Sequence, residues 1–125
     1  VLTPGCVVDI KGIPGGDTIE AGAEGVTIGL AATLNAIASS TIIKEKYFVL
    51  SEAAHSVGSY QVRNRATLVG NLCNGSPAAD TAPALLVLGA SVLTTGIKGD
   101  RKIPIGEFFT GPGRTVLEPG EIVNR

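Results

Sequence analysis

The hydrophobic pattern of this chain consists of short apolar runs that are bounded by Gly, Pro and polar clusters. Such runs predict strands when they are rich in β-branched residues. Residues 18–21 and 26–29 flank Gly22 to Gly25, which predicts a hairpin. Other extended runs cover residues 7–10, 90–95 and 102–105 and the residues after Pro119-Gly120. The chain is therefore expected to form several short strands rather than a few long ones.

Helical periodicity occurs in three places. Thr33 can cap a short helix, since a Thr side chain accepts a hydrogen bond from the first turn. Residues 47–57 place their apolar side chains on one face, and Gly58 follows as a natural C-terminal residue. The pattern predicts a third helix over residues 81–88, for which Asp80 is a candidate N-cap. Because hairpins outnumber βαβ units, the pattern predicts an α+β fold rather than a doubly wound sheet.

Composition excludes several classes of function. The 125 residues are 44% hydrophobic, which suffices for the core of one domain. A net charge of −1 without a basic patch argues against a nucleic-acid or membrane-surface partner. No apolar run approaches the roughly 20 residues of a membrane span, and no signal peptide is evident. Cys6 and Cys73 lack the spacing of a metal or iron–sulfur site, and we expect reduced thiols in a cytoplasmic protein.

The stretch from residue 61 to residue 80 is the most informative part of the chain, and the pattern predicts an unusual loop there. Thr67 supplies a hydroxyl, Gly70 lacks a Cβ and Asn71 supplies a carboxamide, so the backbone could approach a phosphate closely. Asp80 could accept hydrogen bonds from sugar hydroxyls as well as cap the next helix. Because ordinary tight turns contain the same residue types, this stretch alone leaves phosphate binding and turn closure both open.

As a whole, residues 61–80 resemble a flavin-contacting motif of the xanthine dehydrogenase family. These are the molybdenum hydroxylases, which include carbon monoxide dehydrogenases and hydroxybenzoyl-CoA reductases. The resemblance continues in other segments, at residues 8–15, 28–34, 108–115 and 117–122. It implies the second lobe of a vanillyl-alcohol-oxidase-like (PCMH-type) FAD-binding domain. That lobe is α+β, with a mixed or antiparallel sheet and flanking helices.

The resemblance also implies a cofactor and partners. FAD would exchange electrons with an external carrier, while the molybdenum cofactor and the [2Fe–2S] clusters would lie on partner subunits. Residues 1–125 would form a partial FAD-binding domain, with the first glycine loop and the C-terminal lobe missing. We expect such a domain to associate with itself in isolation. A competing interpretation is a docking fragment that no longer binds flavin, and a third is another flavin or nucleotide enzyme of the same fold.

Individual positions carry over from the family motif. Five residues fall on the turn that contacts the pyrophosphate: Thr67, Leu68, Val69, Gly70 and Asn71. Asp80 falls on a carboxylate that contacts the flavin nucleotide, and Val57 and Val123 fall where apolar side chains lie against the adenine. Val69 departs from the family, which usually has a second glycine at this position.

Other residues of this region have a simpler interpretation beside the functional one. Arg63 and Arg65 could steer a phosphate, although we favour solvated surface charges or a contact with another subunit. Cys73 is expected to be a small buried hydrophobe rather than a redox thiol. His55 has no partner at catalytic spacing, so we expect no catalytic role. The loop at residues 111–113 could be structural or could face the flavin ring.

Overall fold

A computed structural model describes residues 3–125 of the chain. The helices are α1 (Leu34–Ser39), α2 (Thr41–Lys46), α3 (Phe48–Ser56), α4 (Tyr60–Arg63), α5 (Leu68–Cys73), α6 (Thr81–Val87) and α7 (Ile105–Phe108). The strands are β1 (Ile19–Gly22), β2 (Gly25–Ile28), β3 (Ser91–Gly96), β4 (Gly99–Pro104), β5 (Phe109–Gly111), β6 (Arg114–Thr115) and β7 (Ile122–Val123).

The strands of residues 3–125 form three small sheets, and every pair of neighbouring strands is antiparallel. The β1–β2 hairpin places Ile19 opposite Ile28, as its sequence predicts. The second sheet has the order β4-β3-β7, and β5 pairs with β6 in the third. Together with the helices this confirms the α+β fold class.

Two sequence predictions about elements are wrong. Residues 7–10 form no strand, and Val7 is 83% exposed, because no neighbouring segment of the described chain supplies the hydrogen bonds that a strand requires. Residues 61–80 are not one loop, because they contain the end of α4 and the whole of α5. The Ser59 hydroxyl accepts from the Val62 N–H and begins α4. These helices are too short to show apolar periodicity in the sequence.

The core lies where α1, α2 and α3 pack against one another. Its fully buried side chains include Leu34, Ile37, Ile43 and Leu50. Phe108 is also fully buried and meets Phe109 edge-to-face, with ring centroids 5.2 Å apart. This packing anchors the segment between β4 and β6 to the core. The helical core supports the short segments in which the candidate site lies.

Candidate functional site

The first turns of α1 and α5 lie side by side because two copies of one tripeptide pair with each other. Ala32-Thr33-Leu34 and Ala66-Thr67-Leu68 form an isolated antiparallel bridge at the two threonines. The Leu34 N–H donates to the Ala66 carbonyl at 2.9 Å, and the Leu68 N–H donates to the Ala32 carbonyl at 3.4 Å. The bridge fixes the start of α5 against the start of α1.

Both threonines cap their helices in the same way. The Thr33 Oγ1 accepts from the Ala36 N–H at 3.2 Å, and the Thr67 Oγ1 accepts from the Gly70 N–H at 3.0 Å. Threonine is a preferred N-cap because its oxygen satisfies a donor that has no partner within the helix. The cap at Thr33 was predicted from the sequence, whereas its pairing with Thr67 was not. The repeated Ala-Thr-Leu tripeptide was the signal that could have found it.

The departure of Val69 from the family motif does not obstruct the outer surface of α5. The Val69 side chain is only 9% exposed and belongs to the core, as does Leu68. Gly70, by contrast, is exposed. A Cβ at Gly70 would lie 3.1 Å from the Thr67 Oγ1 and would crowd the cap. A single glycine at the exposed position therefore suffices to leave the backbone of this turn open.

Asn71 connects α5 to the start of α6. Its Oδ1 accepts from the Thr81 hydroxyl at 2.6 Å, and Thr81 is fully buried. This bond holds the start of α6, where Asp80 precedes Thr81, next to Asn71. Thr67, Gly70 and Asn71 lie together at the start of α5, and the Asn71 carboxamide oxygen is occupied by the Thr81 hydroxyl.

The prediction that the Asp80 side chain caps α6 is wrong. Asp80 occupies the N-cap position, but its side chain makes no capping hydrogen bond. Its backbone is already helical, with φ −65° and ψ −30°, whereas a capping residue normally has an extended backbone. The carboxylate is exposed and forms no ion pair with another described residue. It is therefore available to a ligand.

The loop that follows α5 is held by the β5–β6 hairpin. The Gly113 N–H donates to the Gly75 carbonyl at 2.8 Å. Gly75 has φ +58°, and a Cβ there would lie 3.1 Å from the Arg114 nitrogen. Both features require glycine at residue 75. They favour the structural interpretation of the loop at residues 111–113.

Val57 and Val123 lie on different elements. Val57 is half-buried at the C-terminal end of α3, so part of its side chain can meet a ligand. Val123 in β7 is 5% exposed and packs in the core, which leaves little surface for a ligand. The next residue, Asn124, accepts from the Leu30 N–H at 3.1 Å and so joins β7 to the segment before α1.

Three further residues of this region differ in their environments. Arg63 is buried, so its interpretation as a solvated surface charge is wrong, whereas Arg65 is exposed. Cys73 is exposed rather than buried, because it lies at the outer end of α5. Local desolvation nevertheless raises the pKa of its thiol, which argues against a reactive thiolate.

The strongest electrostatic cluster lies away from α5, on the sheet of β3, β4 and β7. The Arg101 guanidinium donates to both carboxylate oxygens of Glu121, at 2.7 and 2.5 Å. The Thr94 hydroxyl and the Glu118 N–H donate to the same carboxylate. These bonds, led by those from Arg101, lower the pKa of Glu121 from 4.5 to about 2. The cluster is a structural tie between the sheet and the last residues.

A cavity of about 720 Å³ lies between the β1–β2 hairpin, α5, α6 and β3. Its walls include Leu68, Val69 and Leu72, so it lies behind α5, opposite the exposed Gly70. Within residues 3–125, no three His, Cys, Asp or Glu side chains are placed to hold a metal ion. Every helix in the same range is too short or too polar to span a bilayer.

Comparison with known proteins identifies the family. All of residues 1–125 match the profile of the FAD binding domain in molybdopterin dehydrogenase. The chain belongs to this family. The resemblance that residues 61–80 indicated is thereby confirmed, and so is FAD as the cofactor of the family.

Individual relatives agree with this assignment. The chain is 31% identical over 125 residues to the glyceraldehyde dehydrogenase medium chain of Sulfolobus acidocaldarius, covering all of this chain and 44% of that one. It superposes on quinoline 2-oxidoreductase from Pseudomonas putida 86 with a TM-score of 0.94 and 26% identity, over 99% of this chain and 44% of that one. It superposes on carbon monoxide dehydrogenase from Hydrogenophaga pseudoflava with a TM-score of 0.84 and 33% identity, over 89% of this chain and 39% of that one. The chain thus spans less than half of these relatives.

Proposed function

We propose that this chain is part of the FAD-binding subunit of a molybdenum-dependent hydroxylase or dehydrogenase, where it binds FAD for electron transfer. The observation that carries the proposal is the first turn of α5. There the Thr67 cap, the exposed Gly70 and the core-directed Val69 leave an open backbone, and the bond from Thr81 to Asn71 holds the start of α6, with the exposed Asp80, next to α5. Bound FAD supplies the redox chemistry, and the residues of the chain position it.

Each residue has a proposed part in this binding. Residues 67–71 approach the diphosphate, with Leu68 and Val69 contributing backbone while their side chains remain in the core. Asp80 accepts hydrogen bonds from the flavin nucleotide. Val57 packs against the adenine, and Val123 contributes the small part of its side chain that stays accessible.

Partner subunits are part of the proposal. Several relatives are named as the medium chain or as a subunit of a dehydrogenase complex, which supports a multi-subunit oxidoreductase. We place the [2Fe–2S] clusters on one partner and the molybdenum cofactor on another, as the resemblance to the molybdenum hydroxylases implies. Electrons would pass between those clusters and an external carrier through the flavin. We place the complex in the cytoplasm.

Titration calorimetry with FAD tests the proposal, on this domain and on the intact polypeptide. Gly70→Val should abolish tight binding, because its Cβ would crowd the Thr67 cap and its branches would cover the open backbone. Ala36→Val is the matched control, since Ala36 has the same exposed position after the Thr33 cap. It should bind FAD like the unmodified protein. Equal binding by both variants would contradict the proposed diphosphate position.

A second candidate function is docking without flavin, and a specific observation favours it. Large apolar side chains are exposed on α3 and α6, among them Phe48 at 62% and Val87 at 80%. Exposed apolar surface of this kind marks contact with other protein surfaces. The same exposed apolar side chains are the reason to expect that the isolated domain associates with itself, which stays a prediction. If neither the domain nor the intact polypeptide binds FAD, docking becomes the better description.

A further inference from the structure

Arg63 is a buried cation that no carboxylate of residues 3–125 neutralises. Its side chain is 7% exposed, and among residues 3–125 no acidic oxygen lies within ion-pair distance of it. Its Nε donates to the Asn35 Oδ1 at 3.0 Å. Its Nη1 donates to the Val57 and Gly58 carbonyls at 3.0 and 3.1 Å. All three acceptors are neutral. An unpaired buried charge is costly, so these bonds must hold the guanidinium in place.

Asn35 uses its whole side chain in the same network. Its Nδ2 donates to the Tyr60 carbonyl at 2.9 Å and to the Asn64 Oδ1 at 2.7 Å, while its Oδ1 accepts from Arg63. Asn35 lies in the first turn of α1, next to Leu34, which bonds to Ala66. The segment from residue 60 to residue 68 is therefore fastened to α1 at both ends.

The carbonyl contacts of Arg63 extend this network to the end of α3. Gly58 has φ +48°, and a Cβ there would lie 3.3 Å from the Val62 Cγ1, so the chain turns tightly between α3 and α4. One guanidinium thus joins Val57 to the segment that leads into the Thr67 cap. In the proposed function, Val57 meets the adenine and residues 67–71 meet the diphosphate.

We propose that Arg63 is a positioning residue that sets the spacing between the adenine and diphosphate parts of the site. The inference rests on the proposed function. Arg63 contacts neither ligand part itself in this assignment, and acts through Val57 and through Asn35. A ligand that joins both parts depends on this spacing, whereas a ligand that reaches only one part does not.

The test compares ligands that do and do not join the two parts. ADP carries the adenine and the diphosphate, whereas FMN carries the flavin and one phosphate without the adenine. The variants are Arg63→Lys and Arg63→Met in the intact polypeptide, with Lys44→Met at an exposed position of α2 as the control. Lysine keeps the charge but cannot bond Asn35 and two carbonyls at once with a planar fork. Affinities are measured by calorimetry for FAD and by competition for ADP and FMN, and melting temperatures are recorded in parallel.

We expect Arg63→Lys to weaken FAD and ADP binding about 10-fold or more, the effect of losing hydrogen bonds to a charged group, while FMN affinity changes less than about 2-fold. Equal losses for ADP and FMN, or unchanged FAD affinity in a folded variant, would overturn the inference. If Arg63→Met does not fold, the ligand affinities of Arg63→Lys alone test the positioning role of Arg63. Failure of the unmodified polypeptide to bind FAD would instead refute the proposed function.

Discussion

Two turns with the same tripeptide, Ala32-Thr33-Leu34 and Ala66-Thr67-Leu68, begin helices of equal length in this protein. Their caps and their mutual hydrogen bonds are alike. They diverge at the three residues after the leucine. The first turn continues Asn35-Ala36-Ile37, in which Ile37 is fully buried. The second continues Val69-Gly70-Asn71, in which Val69 is buried and Gly70 is exposed.

The difference separates a supporting role from the proposed recognition of FAD within one backbone geometry. The first turn directs Asn35 to the segment around Arg63 and directs Ile37 to the core, so its side chains stabilise the fold. The second turn places its apolar side chain inward and its glycine outward. The same cap therefore gives a structural joint in one copy and an open backbone in the other, and three following residues decide which.

The largest expected effect tests whether both turns are equally part of the core. Leu34→Ala and Leu68→Ala should each lower the free energy of unfolding by about 2–5 kcal/mol, since each removes a buried side chain. Urea unfolding monitored by circular dichroism measures the loss. The exposed Val87→Ala serves as a control and should change stability by less than about 0.5 kcal/mol. A Leu68→Ala loss no larger than the control would show that the second turn is only loosely attached.

A smaller effect tests whether the two caps differ in function. Thr33→Ala and Thr67→Ala should each cost about 1 kcal/mol of stability, because each leaves one N–H without its capping oxygen. Only Thr67→Ala should also weaken FAD binding, because only the second turn belongs to the proposed site. Unfolding and calorimetry on both variants measure the two quantities. Equal losses of FAD affinity in the two variants would contradict the proposed functional difference between the two caps.

The smallest expected effect on stability at neutral pH concerns Glu121, which lies outside both turns and bonds to the sheet of β3, β4 and β7. Hydrogen bonds to the Glu121 carboxylate place its pKa at about 2 instead of 4.5. This contribution to stability is therefore fully present above pH 4.5 and is lost as the pH falls toward 2. Glu121→Gln should flatten the fall in stability over that range, as measured by urea midpoints. Neither turn uses a carboxylate in its hydrogen bonds. The stability lost in Thr67→Ala should therefore stay constant over the same pH range. An unchanged acid profile in Glu121→Gln would refute the assignment.

Much of the fold followed from local pattern, and the errors have a common cause. The β1–β2 hairpin, α1, α3, α6 and β3 appear where periodicity and glycines predicted them. Residues 7–10 were predicted as a strand because pairing partners are invisible in a local pattern. The helix α5 was predicted as a loop because six residues with a central glycine show no clear periodicity. Asp80 was considered a cap because residue type alone does not report its backbone angles.

The sequence by itself determined the family and the α+β class, and the family motif supplied the proposed positions of the flavin contacts. Those conclusions rest on residue identity and short-range pattern, which are complete in the sequence. Only the tertiary structure showed that Thr33 pairs with Thr67, that Asp80 keeps a free carboxylate and that Arg63 is buried among neutral acceptors. The Arg63–Asn35 bond joins residues 28 positions apart, and the bridge at the threonines joins a still longer span. Such contacts form only when the packing of α1, α3 and α4 brings distant segments together.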